Sequence, residues 1–256
     1  MLPDPLLCES AVVLCGGRGN RLRPLTDEVP KPLVEVQGKP ILWHTVARLR
    51  EQGFRRIVLP TGYLGERVRA FAPTLRRDFG VEVQCVETGL DTPIAARLAL
   101  VAPWIPSGED YLLVNGDTLF QLDLRALHKH HRETDAAITV ASVDVPSRFG
   151  LIVERGGRVV DFVRDVDVSR FQIAEENRRS FGYINAGFTW ISPEALDDFD
   201  LWHCENFETT VFGALSREGR LAHKHLQGFW YCIDTLRDLE LANSLQLPLP
   251  AGMETV

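Results

Sequence analysis

The densest set of residues able to do chemistry is Leu14-Cys15-Gly16-Gly17-Arg18-Gly19-Asn20-Arg21-Leu22, followed by Lys31 in Val29-Pro30-Lys31-Pro32-Leu33. Three glycines after a strand let the backbone wrap closely around a phosphate chain, and their N–H groups form an anion-binding nest. Arg21 offers a planar fork for phosphate oxygens, and Lys31 a point charge. Leu22 stands where a dinucleotide G-x-G-x-x-G fingerprint needs glycine, and no Gly-Lys-Ser/Thr follows, so neither that motif nor a Walker A loop is present. A second candidate is Asp117, which closes the apolar run Tyr111 to Asn115 after Gly116. An aspartate after glycine is also a common turn residue.

Positioning these residues requires strands that end at them. Ala11 to Cys15 reads as a short buried strand, Arg56 to Pro60 as a second, Val81 to Val86 as a third and Tyr111 to Asn115 as a fourth. Helices are expected over Pro40 to Gln52, from a cap at Asp91 or Thr92 to Val101, and over Leu124 to Glu133. This alternation predicts an α/β fold with a mostly parallel sheet, whose ligands bind at the carboxyl ends of the strands. Gly16 and Asp117 both stand at such ends. The second half changes character. Ala136 to Val143, Leu151 to Glu154, Arg158 to Val163 and Tyr183 to Ile191 read as antiparallel strands, and Asp165 to Ser180 as an exposed loop. Pro193 to Phe199, Phe207 to Glu218 and Leu236 to Leu245 are predicted helical, with strands over Leu221 to Leu226 and Phe229 to Ile233. No linker interrupts the chain. The expectation is a single domain over residues 1–256, with a smaller antiparallel region in its second half.

The chain resembles the sugar-1-phosphate nucleotidyltransferases. Their G-G-x-G-x-R-L and P-K-P signatures stand here as Gly16 to Leu22 and Pro30 to Pro32. Gly38-Lys39-Pro40-Ile41-Leu42, Asn115-Gly116-Asp117, Arg148-Phe149-Gly150, Tyr183-Ile184-Asn185-Ala186-Gly187 and Asn206-Phe207-Glu208 follow in the family's order. Two stretches are similar to the glucose-1-phosphate cytidylyltransferase branch: Thr88 to Leu98, and Phe229-Trp230-Tyr231-Cys232-Ile233-Asp234-Thr235-Leu236-Arg237-Asp238. Ala95 and Ala96 replace that branch's paired glycines.

The resemblance implies a Rossmann-like, glycosyltransferase-A-like domain. Residues 11–135 would form its nucleotide-binding half, and residues 136–245 the half that binds sugar phosphate and supplies a second metal ligand. It implies in-line attack of a sugar-1-phosphate oxygen on the α-phosphate of a nucleoside triphosphate, CTP favoured, with pyrophosphate leaving. The attacking oxygen is already anionic, so alignment and charge neutralisation suffice. Arg21 is expected to hold the β- and γ-phosphates, and Lys31 the α-phosphate. Leu14, Gly16, Gly17, Gly19, Thr88, Thr92, Arg97 and Gly116 are the nucleotide-binding candidates. Gly150, Arg164, Asn185 and Glu208 are those for the sugar phosphate. Mg²⁺ takes oxygen ligands, and Asp117 and Asp234 match the metal positions. Asp234 before Thr235 also reads as an ordinary helix cap. One departure stands out: the family's F-x-E-K-P lysine is Asp165 here. A guanylyl- or other nucleotidyltransferase on a heptose- or hexose-1-phosphate, and a non-catalytic nucleotide-sugar-binding subunit, are the competing readings.

The remaining features exclude more than they propose. With 45% hydrophobic residues, 25% charged and a net charge of −7, the chain is neither disordered nor suited to wrap nucleic acid. No apolar run approaches the roughly 20 residues a membrane span needs. Five scattered cysteines without metal spacing, and no credible signal peptide, point to a reduced, cytoplasmic protein. A homo-oligomer is expected. Cys15 and Cys85 read as core side chains. His128 and His131, beside Lys129 and Arg132, read as a solvated helix face, and His223 and His225 as surface or interface positions on one face of a strand. Trp104 and Trp202 read as core or edge packing, and Trp230 as core with a partner for its N–H.

Overall fold

The computed structural model describes residues 9–147, 151–163, 166–175 and 178–247. Among them the first half runs β1 (Ser10–Leu14), β2 (Glu35–Val36), β3 (Lys39–Pro40), α1 (Ile41–Glu51), β4 (Arg56–Thr61), α2 (Gly65–Phe79), β5 (Glu82–Glu87), α3 (Ile94–Val101), β6 (Tyr111–Asn115), β7 (Thr118–Gln121) and α4 (Leu124–Thr134). The second half begins with β8 (Ile138–Val143), β9 (Val145–Pro146), β10 (Leu151–Arg155), β11 (Arg158–Val163), β12 (Asp167–Val168), β13 (Phe171–Glu175), β14 (Arg178–Gly182) and β15 (Ile184–Ile191). It ends with α5 (Gly213–Arg217), β16 (Leu221–His225), β17 (Phe229–Cys232) and α6 (Leu236–Ser244).

Seven strands form the central sheet in the order β16-β8-β15-β6-β1-β4-β5. All neighbours run parallel except β15, which is antiparallel to β6 and β8. The strands β1, β4, β6, β8 and β16 therefore all end at one edge. One face packs α1, α2 and α4 through Leu42, Val46, Leu75 and Leu127 against Val13, Val114 and Phe188. The other packs α3 and α5 through Leu98 and Leu215 against Val12, Leu113 and Ile138. Both faces are covered, as expected where parallel strands dominate.

The sequence reading needs several corrections. No helix is expected from the sequence over Gly65–Phe79, where α2 forms with Pro73 inside it. Val68, Ala72, Leu75 and Phe79 nevertheless recur at helical spacing and are buried, and their burial outweighs the hydrogen bond lost at proline. The expected loop from Asp165 to Ser180 contains β12, paired with β9, and most of the hairpin β13–β14. Pro193 to Phe199 forms successive turns rather than a helix. The strand expected over Leu221 to Leu226 is present as the edge strand β16, parallel to β8.

Side-chain expectations also change. Pro93, not Asp91 or Thr92, occupies the cap of α3. His128 and His131 are buried, lying with Leu124 and Leu127 on the core stripe of α4. Internal partners hold both rings: His128 Nε2 meets Asp110 at 2.9 Å, while His131 bonds Thr139 at 2.8 Å and Ser192 at 3.0 Å. Trp104 and Trp202 are 48% and 60% exposed and not part of the core. Cys15 is buried and Cys85 only half-buried against the same core. Trp230 is partly buried and donates to the Ala186 carbonyl at 2.9 Å, as expected.

Candidate active site

At the carboxyl edge of β1 and β6 the chain leaves the sheet in two tight loops. Gly116 is required there, since a Cβ would stand 2.1 Å from the Leu14 carbonyl oxygen. The glycine loop rests on Arg97, whose guanidinium donates to the backbone oxygens of Gly16, Thr61, Leu90 and Thr92 and to the Thr88 hydroxyl. Arg97 is thus a buried strut joining loop, β4 and α3. Thr88 is buried and donates to the Thr61 carbonyl at 2.8 Å, and Thr92 donates to the Thr88 carbonyl. Together these groups frame a cleft of about 510 Å³.

Of the nucleotide-binding candidates, Leu14, Gly16, Gly17, Gly19, Thr92, Arg97 and Gly116 line this cleft, with Thr88 behind it. Lys31 and Asp117 line it as well. Arg21 does not. Its side chain is 71% exposed and pairs with Asp234 Oδ1 at 2.9 Å. Ala95 and Ala96 are both buried, and Ala95 packs in the core beneath α3. The sequence gives Arg18 no role and Asp91 only that of a candidate helix cap. They form a two-point ion pair across the mouth, at 3.1 Å for each contact. Arg18, the variable residue inside G-G-x-G, was the available signal for this clamp.

The charged centre is compact. Lys31 Nζ lies 2.8 Å from Asp117 Oδ2 and 2.9 Å from Asp234 Oδ1. Pairing of β7 with β17, extended by a 3.0 Å bond from Ile233 N–H to the Asp117 carbonyl, sets the two aspartates side by side. Thr235, not Asp234, caps α6, in a reciprocal capping box with Asp238. Asp234 is left facing Lys31. Burial would lower the Lys31 pKa, but attraction and hydrogen bonds from Asp117 and Asp234 outweigh it and raise it. Burial would raise the Asp234 pKa, but Lys31 and Arg21 outweigh it and lower it.

This centre suits a hard cation. The ligand atoms of Asp117, Cys232 and Asp234 lie within 4.8 Å of one another. Burial and both carboxylates push the Cys232 thiol up to about 12, so it stays protonated and is a poor ligand. Two carboxylates remain, already bridging one ammonium, and carboxylate oxygens suit a hard divalent ion.

Further along the same edge, Asn185 donates to Glu208 Oε1 at 3.0 Å and accepts from the Gly187 N–H at 3.0 Å. Glu208 opens the π-type turn Glu208–Phe212, which Phe207 and Val211 anchor in the core. The structure therefore brings Asn185 and Glu208 together. Gly150, Arg164 and Asp165 lie outside the described residues.

Residues 10–164 match the family model described as Nucleotidyl transferase. A Bacillus subtilis protein named "Probable glucose-1-phosphate cytidylyltransferase" is 32% identical over 92% of this chain and 95% of its own length. The chain belongs to the sugar-1-phosphate nucleotidyltransferase family. Within that family it is also similar to the mannose-1-phosphate guanylyltransferase catalytic subunit beta of Xenopus tropicalis, 31% identical over 89% of this chain. There it spans only 62% of the relative's length. In fold it resembles a Bacillus anthracis protein crystallised in complex with sucrose, with a TM-score of 0.72, 20% identity and coverage of 95% and 97% of the two chains. Substrates of this sugar-1-phosphate nucleotidyltransferase family are a nucleoside triphosphate and a sugar phosphate, and its members generally use a divalent metal. No helix among the described residues is long and apolar enough to cross a membrane.

Proposed function

We propose that this protein is a Mg²⁺-dependent cytidylyltransferase that joins CTP to a sugar-1-phosphate and releases pyrophosphate. The observation that carries the reading is the convergence of Lys31, Asp117 and Asp234 at the end of a glycine-lined cleft. Asp117 and Asp234 would hold the Mg²⁺, which when bound supplies charge neutralisation for the triphosphate. The N–H groups of Gly16, Gly17 and Gly19 take the phosphate chain. Lys31 steadies the α-phosphate as charge grows on it, and Arg21 reaches the departing pyrophosphate from the rim. Asn185 and Glu208 take the sugar. The nucleotide half spans residues 11–135 and the acceptor half residues 136–245. The protein acts as a cytoplasmic homo-oligomer in this reading.

Support for cytidine comes from the Thr88 to Leu98 and Phe229 to Asp238 stretches and from the Bacillus subtilis relative. Similarity to mannose-1-phosphate guanylyltransferases favours guanylyl transfer as the second reading. A pyrophosphate-release panel of each nucleoside triphosphate against several hexose-1-phosphates, with and without Mg²⁺, separates them. CTP should give the fastest metal-dependent release. GTP preference would replace the first reading with the second, and no release with any pair would sink both.

A further inference from the structure

Two loops wall the cleft, and two arginines join them. One loop is Gly16 to Gly19, after β1; the other is Thr88 to Pro93, between β5 and α3. Arg97 is 5% exposed, and its guanidinium donates to Gly16 of the first loop and to Thr88, Leu90 and Thr92 of the second. On the solvent side Arg18 reaches from the first loop to Asp91 of the second, Nε to Oδ1 and Nη2 to Oδ2, each at 3.1 Å. All three side chains line the cleft, Arg97 from within and the exposed pair at its mouth.

The two ties differ in how easily they break. Releasing a loop from Arg97 would leave a buried guanidinium and the freed carbonyls unpaired away from water. The Arg18 and Asp91 side chains are 37% and 72% exposed, and each can exchange its partner for water. Their charges are secured, since the hydrogen bond between them raises the Arg18 pKa and lowers that of Asp91. The guanidinium also stands 5.8 Å from the centre of the Tyr63 ring, on a third loop whose Tyr63 N–H bonds the Gly16 carbonyl at 3.2 Å. That brace favours one geometry each time the pair re-forms. Pairing also cancels a charge, because a lone Asp91 would repel the triphosphate that the glycine N–H groups attract. Leu90 and Ile94 are 44% and 38% exposed and give the cleft an apolar wall suited to a nucleotide base.

We infer that Arg18 and Asp91 form a gate at the mouth of the nucleotide cleft, which opens to admit the nucleoside triphosphate and to release the nucleotide product. The inference rests on the nucleotidyl-transfer reading for the identity of the ligand. A gate equally stable over an empty and a filled cleft slows entry and exit by one factor and leaves affinity unchanged. A residue that binds the nucleotide itself changes the two rates unequally.

The test measures association and dissociation rates by stopped flow, using the whole protein, Mg²⁺ and fluorescent ribose-labelled CTP and GTP. Arg18→Ala combined with Asp91→Ala opens the gate without changing the net charge. Both rates should rise about threefold in that double variant, with Kd unchanged. Asp91→Ala alone should speed entry further, because an unpaired Arg18 attracts the triphosphate. Arg18→Ala alone should speed entry less than the double variant, because Asp91 is left to repel it. Should the double variant unfold, Arg18→Lys decides: lysine keeps the charge but lacks the two-nitrogen fork, so both rates should still rise together. Unchanged rates, or rates that change by unequal factors, in the deciding variant would overturn the gate and leave the transfer reading standing. A wild type that binds neither nucleotide would overturn both.

Discussion

Two stretches of one sheet edge are built on opposite electrostatic plans. Around β6 and β7, Lys31, Arg21, Asp117 and Asp234 form three ion pairs within 3 Å, and Lys31 is only 14% exposed. Around β15, β8 and β16, Ser142 is hydrogen-bonded to His223 and His225 and Asn185 to Glu208, while the carboxylate of Asp144 lies 3.1 Å from His225. Phosphoryl transfer needs fixed charge where charge develops. Recognition of a hydroxyl needs oriented neutral groups, because a buried donor or acceptor left unpaired is costly. The difference teaches that one sheet edge can carry paired fixed charges at one stretch and hydrogen-bonded polar groups at another simply by changing residue type every few strands.

That contrast can be broken experimentally. Asp117→Asn has the largest expected effect, a drop in kcat of about 10³-fold with the melting temperature little changed. Wild-type turnover from this variant would mean that the charged centre is not where the chemistry occurs. Arg21→Ala should act more mildly, because Arg21 sits at the exposed rim. A rise of about tenfold in the nucleotide KM is expected, with the acceptor KM untouched. A change confined to the acceptor would invert the assignment of the two edges.

The smallest effect concerns stability without nucleotide or metal. The Asp234 pKa is lowered in the folded chain, so its contribution is complete above its unfolded value and is lost as pH falls through the folded one. The Lys31 pKa is raised, so its contribution is complete below its unfolded value and is lost as pH rises through the folded one. Urea unfolding of the wild type should therefore weaken as pH falls below about 4, and Asp234→Asn should flatten that slope. An identical slope in the variant would show that the ion pairs are solvent-screened and that the two edges differ less than their geometry suggests.

Much of the site was legible because its instructions are local. Glycines after β1, prolines flanking Lys31 and Gly116 before Asp117 dictate backbone shape at their own positions. The match of short motifs in order carried the family. What failed was whatever depended on neighbours distant in sequence. His128 and His131 looked solvated beside Lys129 and Arg132, yet the helix buries that stripe against β8 and β15. Asp234 looked like a cap, but Thr235 takes that task. The strand Thr118–Gln121 carried too short a pattern to be read, and it pairs with β17 to bring Cys232 and Asp234 beside Asp117.

The sequence by itself determined the phosphate loop, the sheet and the carboxylate at the end of β6, since glycine geometry, apolar runs and strand–helix alternation act over a few residues. Only the tertiary structure decided which charges meet. Lys31 reaches Asp117 across 86 residues and Asp234 across 203. It decided likewise that Ser142 meets His223 and His225. Strand order and register set those distances, and both follow from the burial of two whole faces of the sheet rather than from any motif.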